Sequence, residues 1–304
     1  MTGLAAPVPV PKDRAPGLSL HPPAQDPVEH LKLKSFADWP DADPPEREWL
    51  VDGLIPMGTV TFLSGDGGLG KTLLAQQLAM AAALGRSWCG KPVTQTPSIA
   101  LFCEDKEDEI RRRADGITTA LGVARTDPRL AGVHYECRVG AFNAMMISTW
   151  QGNEHTGYRL TDLHRALRAS ASARQARLVV IDSLHDVFIG NENFRPEARA
   201  FVQCLSTTAA RINGAVVVLA HPSFNGLERG SGSSGSTAWN NAVRSRLYLT
   251  MPEGAAPDSE IRVLTTVKSN YGRTGERIIL KRRGGLFVAV SKDQTPKMKV
   301  ARAG

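Results

Sequence analysis

The string Gly65-Asp66-Gly67-Gly68-Leu69-Gly70-Lys71-Thr72 satisfies GxxxxGK[ST] at every position, and it limits what this chain can fold into more sharply than any other stretch. The pattern works only where a strand ends and a helix begins. Its glycines let backbone N–H groups turn inward around a phosphate, and the helix N-terminus presents its positive end to the anion. Both flanks are present: Thr59–Ser64 is a β-rich run, and Lys71–Leu84 is rich in Ala and Leu. In that setting Lys71 is expected to reach the β- and γ-phosphates of a nucleotide, and the Thr72 hydroxyl to ligate a divalent cation. The expected cofactors are therefore ATP and Mg²⁺.

From residue 58 onward, short β-branched runs alternate with longer helical ones, the signature of parallel βαβ units. The expected core strands are Thr59–Ser64, Ile99–Cys103, Leu178–Ile181 and Ala215–Ala220. Their near-continuous apolar character points to burial on both faces. Between them, Lys71–Leu84 and Lys106–Leu121 read as helices, the second with Ile110, Ala114, Ile117 and Leu121 on one face and Asp105 as its candidate cap. A third helix starts at Pro196, carries Phe201, Val202, Leu205 and Ile212, and closes at Asn213-Gly214. After residue 244 the pattern changes to short strands, Arg246–Thr250, Ile261–Lys268 and Arg277–Leu280. The expected fold is α/β, a mainly parallel central sheet flanked by helices with antiparallel strands at its C-terminal end.

In such a sheet the strand C-termini converge on the ligand crevice. Leu178-Val-Val-Ile ends in Asp182, which makes that carboxylate the candidate partner of Thr72 in holding the cation. Ser183 follows it, so a base for the attacking water must come from elsewhere, and Glu104, directly after the strand Ile99–Cys103, is the candidate. The bland alternative for both Glu104 and Asp105 is a helix cap. The fourth strand would bring His221 to the same edge, either to sense the γ-phosphate or as a surface histidine before a turn.

Composition bounds the rest. The chain has 304 residues, 42% hydrophobic and 22% charged, suiting one large α/β domain plus tails. No apolar run approaches the ~18 residues of a membrane span, and the N-terminus shows neither a secretory nor a transit pattern, so a cytoplasmic protein without membrane contact is expected. Cys89, Cys103, Cys137 and Cys204 show no CxxC spacing and fit a reducing compartment. Ten of the nineteen prolines lie in residues 1 to 50, so 1–46 is expected to be a mostly disordered linker, 47–290 the folded domain and 291–304 a tail. Net charge is +7, yet residues 262 to 304 hold eleven Lys/Arg against two Asp/Glu, leaving −2 for everything before them. That basic end either attracts nucleic acid or is a solvated tail.

With these residues in hand, the chain resembles the RecA-like P-loop ATPases of the AAA-25 type, exemplified by plasmid RepA replicative helicases and similar to the DnaB helicase core. The likeness rests on Cys103-Glu104-Asp105 followed by Glu109-Ile110-Arg111-Arg112, on Asn191-Glu192-Asn193-x-Arg195, and on His221-Pro222-Ser223 leading to Gly235-Ser236-Thr237-Ala238-Trp239-Asn240-Asn241. It implies a ring, usually hexameric, with ATP at subunit boundaries, Glu104 as base and His221 relaying nucleotide state to a pore loop. It also implies a cation supplied by the neighbouring subunit. Arg244, Arg246 and Lys268 lie in the matching region, but where the DnaB pattern has Lys-x-Arg this chain has Lys268-Ser269-Asn270, so Lys268 or Arg244 is left for the role.

Two functions follow as expectations. One is a DNA-associated, helicase-type motor ATPase acting on single-stranded DNA in replication, recombination or mobile-element maintenance. The other is a nucleotide-switched ring that does not move on DNA. The resemblance would make the Gly/Ser-rich segment Phe224–Thr237 a DNA-facing loop, the plain alternative being a flexible linker, yet Arg229 is its one cation; the Asn191–Arg195 loop is another candidate. A ParA-like ATPase is disfavoured by Asp66 where its signature lysine would stand, and an ABC ATPase by the absence of LSGGQ. A small-molecule kinase lacks an evident Arg-rich lid.

Overall fold

The computed structural model describes residues 31–221 and 239–291. The expectations for residues 1–30, for Pro222, Ser223 and the Phe224–Thr237 loop, for Ala238, and for Lys292, Lys297, Lys299 and Arg302 lie outside the described residues. The chain divides into two compact units, 1–45 and 46–304. In the first, a 3₁₀ turn over Phe36–Asp38 is closed by a capping box: Ser35 Oγ accepts from the Ala37 amide and Asp38 accepts from the Ser35 amide.

The second unit runs β1 (Trp49–Val51), β2 (Ile55–Pro56), β3 (Thr59–Gly65), α1 (Lys71–Leu84), β4 (Ser98–Phe102), α2 (Glu107–Leu121), β5 (Val133–Cys137), β6 (Met146–Gln151), β7 (Glu154–Leu160), α3 (Asp162–Ala173), β8 (Leu178–Asp182), α4 (Leu184–Val187), α5 (Arg195–Arg211), β9 (Ala215–Ala220), β10 (Ser245–Thr250), β11 (Ile261–Ser269), β12 (Arg277–Arg283) and β13 (Leu286–Ala289). Nine strands form one sheet in the order β13-β12-β11-β10-β3-β9-β8-β4-β5. The six from β10 to β5 are parallel, and β11, β12 and β13 extend the sheet antiparallel.

The apolar runs are continuous because consecutive side chains point to opposite faces and both faces are covered. On one face Leu63, Phe102, Val180 and Leu219 pack with α1 and α2; on the other Phe62, Leu101, Ile181 and Val218 pack with α3, α4, α5 and Trp239. Every residue of α1 except Thr72 is buried, which explains why its sequence is Ala/Leu-rich all round rather than striped. No helix among the described residues is long and apolar enough to cross a membrane.

The structure corrects one local expectation and adds elements that the sequence pattern does not announce. Asp105 does not cap α2: Lys106 occupies the cap position without a side-chain bond, and the Asp105 carboxylate instead receives Arg113 Nη1 at 2.6 Å. The added elements are the short strands β1 and β2, the strand β5, the β6–β7 hairpin, the helices α3 and α4 and the last strand β13. In β5 (Val-His-Tyr-Glu-Cys) no residue is fully buried, as befits an edge strand, so it lacks the apolar run that marks its neighbours. In α3 the buried stripe is His164, Leu167 and Ala171, with a histidine where periodicity looks for a hydrophobe.

Candidate nucleotide site

The loop 65–70 leaves β3 at the centre of the sheet, and its glycines are required by geometry. At Gly65 (φ 155°) a Cβ would overlap the Leu249 carbonyl oxygen, and at Gly70 (φ 94°) it would stand 2.9 Å from the Phe287 ring. Any side chain there would push the loop off β10 or β13. Gly70 leads into α1, whose first residue, Lys71, folds back so that Nζ donates to the carbonyls of Gly65 at 2.6 Å and Asp66 at 2.9 Å. Burial lowers the Lys71 pKa, and the charges of Asp182, Glu104 and Asp66 pull it back up.

The neighbouring strands deliver the other groups to the same edge. Ser64 pairs with Ala220, which places His221 just beyond β9, and Phe102 pairs with Asp182, which places Glu104 just beyond β4. Lys71, Thr72, Glu104, Asp182 and His221 line one cleft of about 480 Å³ together with Gly68 and Gly70. The sheet thus gathers the candidates read from four separate stretches of sequence.

Asp182 is 3% exposed, and burial pushes its carboxyl up to about 7; the Thr72 hydroxyl donates to it and pulls the pKa down, while Glu104 and Asp105 push it higher. Two carboxylates lie near this buried one, while Lys71 and Arg113 are the cations that interact with it. Thr72 and Asp182 are therefore the pair that could hold a divalent cation, with phosphate and water oxygens completing its shell. The Asp182–Ser183 peptide is cis.

Glu104 and His221 are brought together: His221 Nε2 lies 3.5 Å from Glu104 Oε1. The His221 ring lies 5.5 Å from that of His185, centroid to centroid, and His185 Nδ1 stands 3.4 Å from Glu192 Oε1. A line of side chains thereby runs from the cleft to the segment 191–195 on which part of the family likeness rests.

Three wall residues carry no mark in the sequence: Arg262 and Arg282 on the antiparallel strands, and Phe287 on β13. Arg262 Nε donates to the Leu69 carbonyl at 3.1 Å, and burial and then the charge of Arg282 lower its pKa. An arginine alternating with apolar residues in a strand looks like any solvent-facing position, so nothing in the pattern distinguishes it.

Lys268 and Arg244 are placed elsewhere. Arg246 pairs with Phe62 while Leu249 pairs with Gly65, so the Arg246 end of β10 lies ~10 Å back along the strand from the loop. Lys268 is the partner of Arg246 on β11 and donates to the Asn240 carbonyl at 2.6 Å; burial, then Arg244 and Arg246, lower its pKa. Neither Lys268 nor Arg244 lines the cleft of its own chain.

A family model described as an AAA domain, AAA_25, matches residues 25–226, a span that takes in the phosphate loop, Glu104, Asp182 and His221. Among solved structures, the chain is similar to a KaiC-like protein of the hyperthermophilic archaeon Pyrococcus horikoshii OT3. That match is 15% identical, covers 82% of this chain and all of that one, and has a TM-score of 0.54. At that identity the likeness speaks for the fold.

Proposed function

The chain belongs to the AAA_25 family and is a RecA-like P-loop ATPase, and from that premise we propose that it is a DNA-associated, helicase-type motor that hydrolyses Mg-ATP in a ring. The observation that carries the reaction is the convergence of Lys71, Thr72, Asp182, Glu104 and His221 on one cleft at the strand C-termini.

The loop amides and Lys71 hold the β- and γ-phosphates, where charge gathers as the terminal phosphoryl group departs. Thr72 and Asp182 fix a Mg²⁺ ion, which when bound neutralises phosphate charge. Glu104 accepts the proton of the attacking water, and His221, in contact with Glu104, registers whether the γ-phosphate is present. Lys268, or Arg244 in its place, reaches the γ-phosphate of the adjoining subunit. The placement of both residues away from the cleft of their own chain favours that sharing.

The test is steady-state ATPase activity with and without single-stranded and duplex DNA. Stimulation by single strands supports the motor. The second reading, a nucleotide-switched ring without translocation, draws on the same cation cluster, which speaks for assembly and not for DNA; ATP turnover indifferent to DNA would favour it.

A further inference from the structure

A phosphate loop binds through its amides, so its peptides must be held with their carbonyls turned away from the anion. Lys71 Nζ bonds the carbonyls of Gly65 and Asp66, but this ammonium is the group expected to leave them for the phosphates. At the other end of the loop Arg262 Nε donates to the Leu69 carbonyl at 3.1 Å. The Leu69–Gly70 peptide is planar and trans, so holding its oxygen turns the Gly70 N–H to the opposite side. No acceptor among the described residues takes that amide, and Gly70 lines the cleft.

The guanidinium is itself fixed. Its Nη1 donates to the carbonyls of Ser259 at 2.5 Å and Ile261 at 2.8 Å, at the start of β11. Because the donors of an arginine lie in one rigid plane, Nε and Nη1 together set the distance between loop and strand. A second brace stands beside the first. The Phe287 ring lies 2.9 Å from where a Cβ on Gly70 would be. Gln77 of α1 holds the Phe287 backbone from both sides, with Nε2 donating to its carbonyl at 2.8 Å and Oε1 accepting from its amide at 3.0 Å. The antiparallel extension of the sheet thus braces the end of the loop twice, from β11 by a charged hydrogen bond and from β13 by packing.

We propose that Arg262 is a positioning residue for nucleotide binding: by holding the Leu69 carbonyl it sets the Gly70 amide for a phosphate before the nucleotide arrives. This rests on the reading of the cleft as an ATP site. It adds to that site a residue outside the span 25–226 that the family model matches. Loop amides serve ADP as well as ATP, so the effect of Arg262 is common to both nucleotides.

The experiment titrates Mg²⁺ with mant-ADP, and with a mant-labelled non-hydrolysable ATP analogue, into the full-length chain, Arg262→Ala and Arg262→Lys. Steady-state hydrolysis gives KM and kcat, and each melting temperature is measured. Arg262→Ala should weaken both nucleotides by one common factor, roughly 10- to 150-fold, the range for a hydrogen bond from a charged group. KM should rise alike while kcat at saturation stays within about threefold, since an interaction made in both the ground and the transition state is lost from KM alone. Arg262→Lys keeps the charge, but one ammonium does not replace the planar fork, so its loss should fall between wild type and Arg262→Ala. If Arg262→Ala melts early, the common loss in Arg262→Lys carries the comparison. Unchanged affinities in Arg262→Ala overturn the role and leave the cleft reading standing. A loss confined to the ATP analogue assigns Arg262 to the γ-phosphate itself and overturns the proposal. So does a fall in kcat and melting temperature without a rise in KM, which marks a structural residue, and so does full affinity in Arg262→Lys, which shows that charge suffices. No binding of either nucleotide by the wild type overturns both this role and the cleft reading.

Discussion

The cleft at the strand C-termini and the cation cluster on β10 and β11 differ in charge: the cleft sets Glu104, Glu109 and Asp182 among Lys71, Arg112, Arg113, Arg262 and Arg282, whereas Lys268 stands beside Arg244 and Arg246. In the cleft, burial and then the charges of Glu104 and Asp105 raise the carboxyl of Asp182 to about 7, against the pull of the Thr72 hydroxyl. On β10 and β11, burial and mutual repulsion lower the pKa of Lys268 beside Arg244 and Arg246. The pairing of Leu249 with Gly65 and of Ser245 with Thr61 keeps the two regions apart within one copy. In the shared site proposed above, the cluster of one copy would meet the γ-phosphate bound in the cleft of the next.

The largest effect that could break this comparison is at the trans cation. Lys268→Ala is expected to lower kcat by about 10³–10⁵-fold, the range for a charge added to a departing phosphoryl group. Mixed with Glu104→Gln, itself strongly impaired, it should regain activity, because some interfaces then pair a good lysine with a good glutamate. If subunits exchange and no ratio restores turnover, and Arg244→Ala mixed in the same way also fails, the two regions do not cooperate.

Next in size, Glu104→Gln alone should lose about 10²–10⁴-fold in turnover while retaining Mg-ATP affinity, since the amide keeps the shape but accepts no proton. A fluorescent ATP analogue and single-turnover hydrolysis separate the two quantities; weakened binding with unchanged chemistry would move the base elsewhere. Lys71→Ala should cost about 10²–10³-fold, read as phosphate release at saturating and at limiting ATP. Near-normal turnover would remove the cleft from the reaction altogether.

These two regions are unequally legible in the sequence. The loop can be read because its pattern is local: Gly65, Gly70, Lys71 and Thr72 lie within eight consecutive residues. Asp182, Glu104 and His221 can be read because each directly follows an apolar strand, and the parallel sheet does the gathering. Arg262 and Arg282 cannot, since they reach the cleft through long-range pairing of β11 and β12, which leaves no local mark. The β6–β7 hairpin is hidden for a different reason. Its bulge breaks the period of two, and its residues are half-exposed, so neither alternation nor an apolar run announces it.

The smallest expected effect concerns stability rather than turnover, and it tests how far the cations around Asp182 offset its charge. Asp182 is an acid whose pKa in the folded chain, about 7, lies above its ordinary value of 3.8. The folded state therefore binds this proton more tightly than the unfolded state. The contribution of this group to stability is fully present below pH 3.8 and is lost as pH rises toward 7. Above pH 7 the buried carboxylate is ionised in the fold and holds stability down. In a chelating buffer Asp182→Asn, which cannot ionise, should thus melt higher than the wild type at pH 8, by a few degrees (~2–4 °C per kcal/mol for a domain of this size), and the gap should narrow as pH falls through 7. Adding Mg²⁺ should raise the melting temperature of the wild type at pH 8 and leave the variant nearly unmoved, because the ion supplies the charge that the carboxylate lacks. A variant that melts lower than the wild type at pH 8 without metal would mean that Lys71 and the loop dipoles already satisfy Asp182. The cleft would then need no metal ion to balance its buried carboxylate.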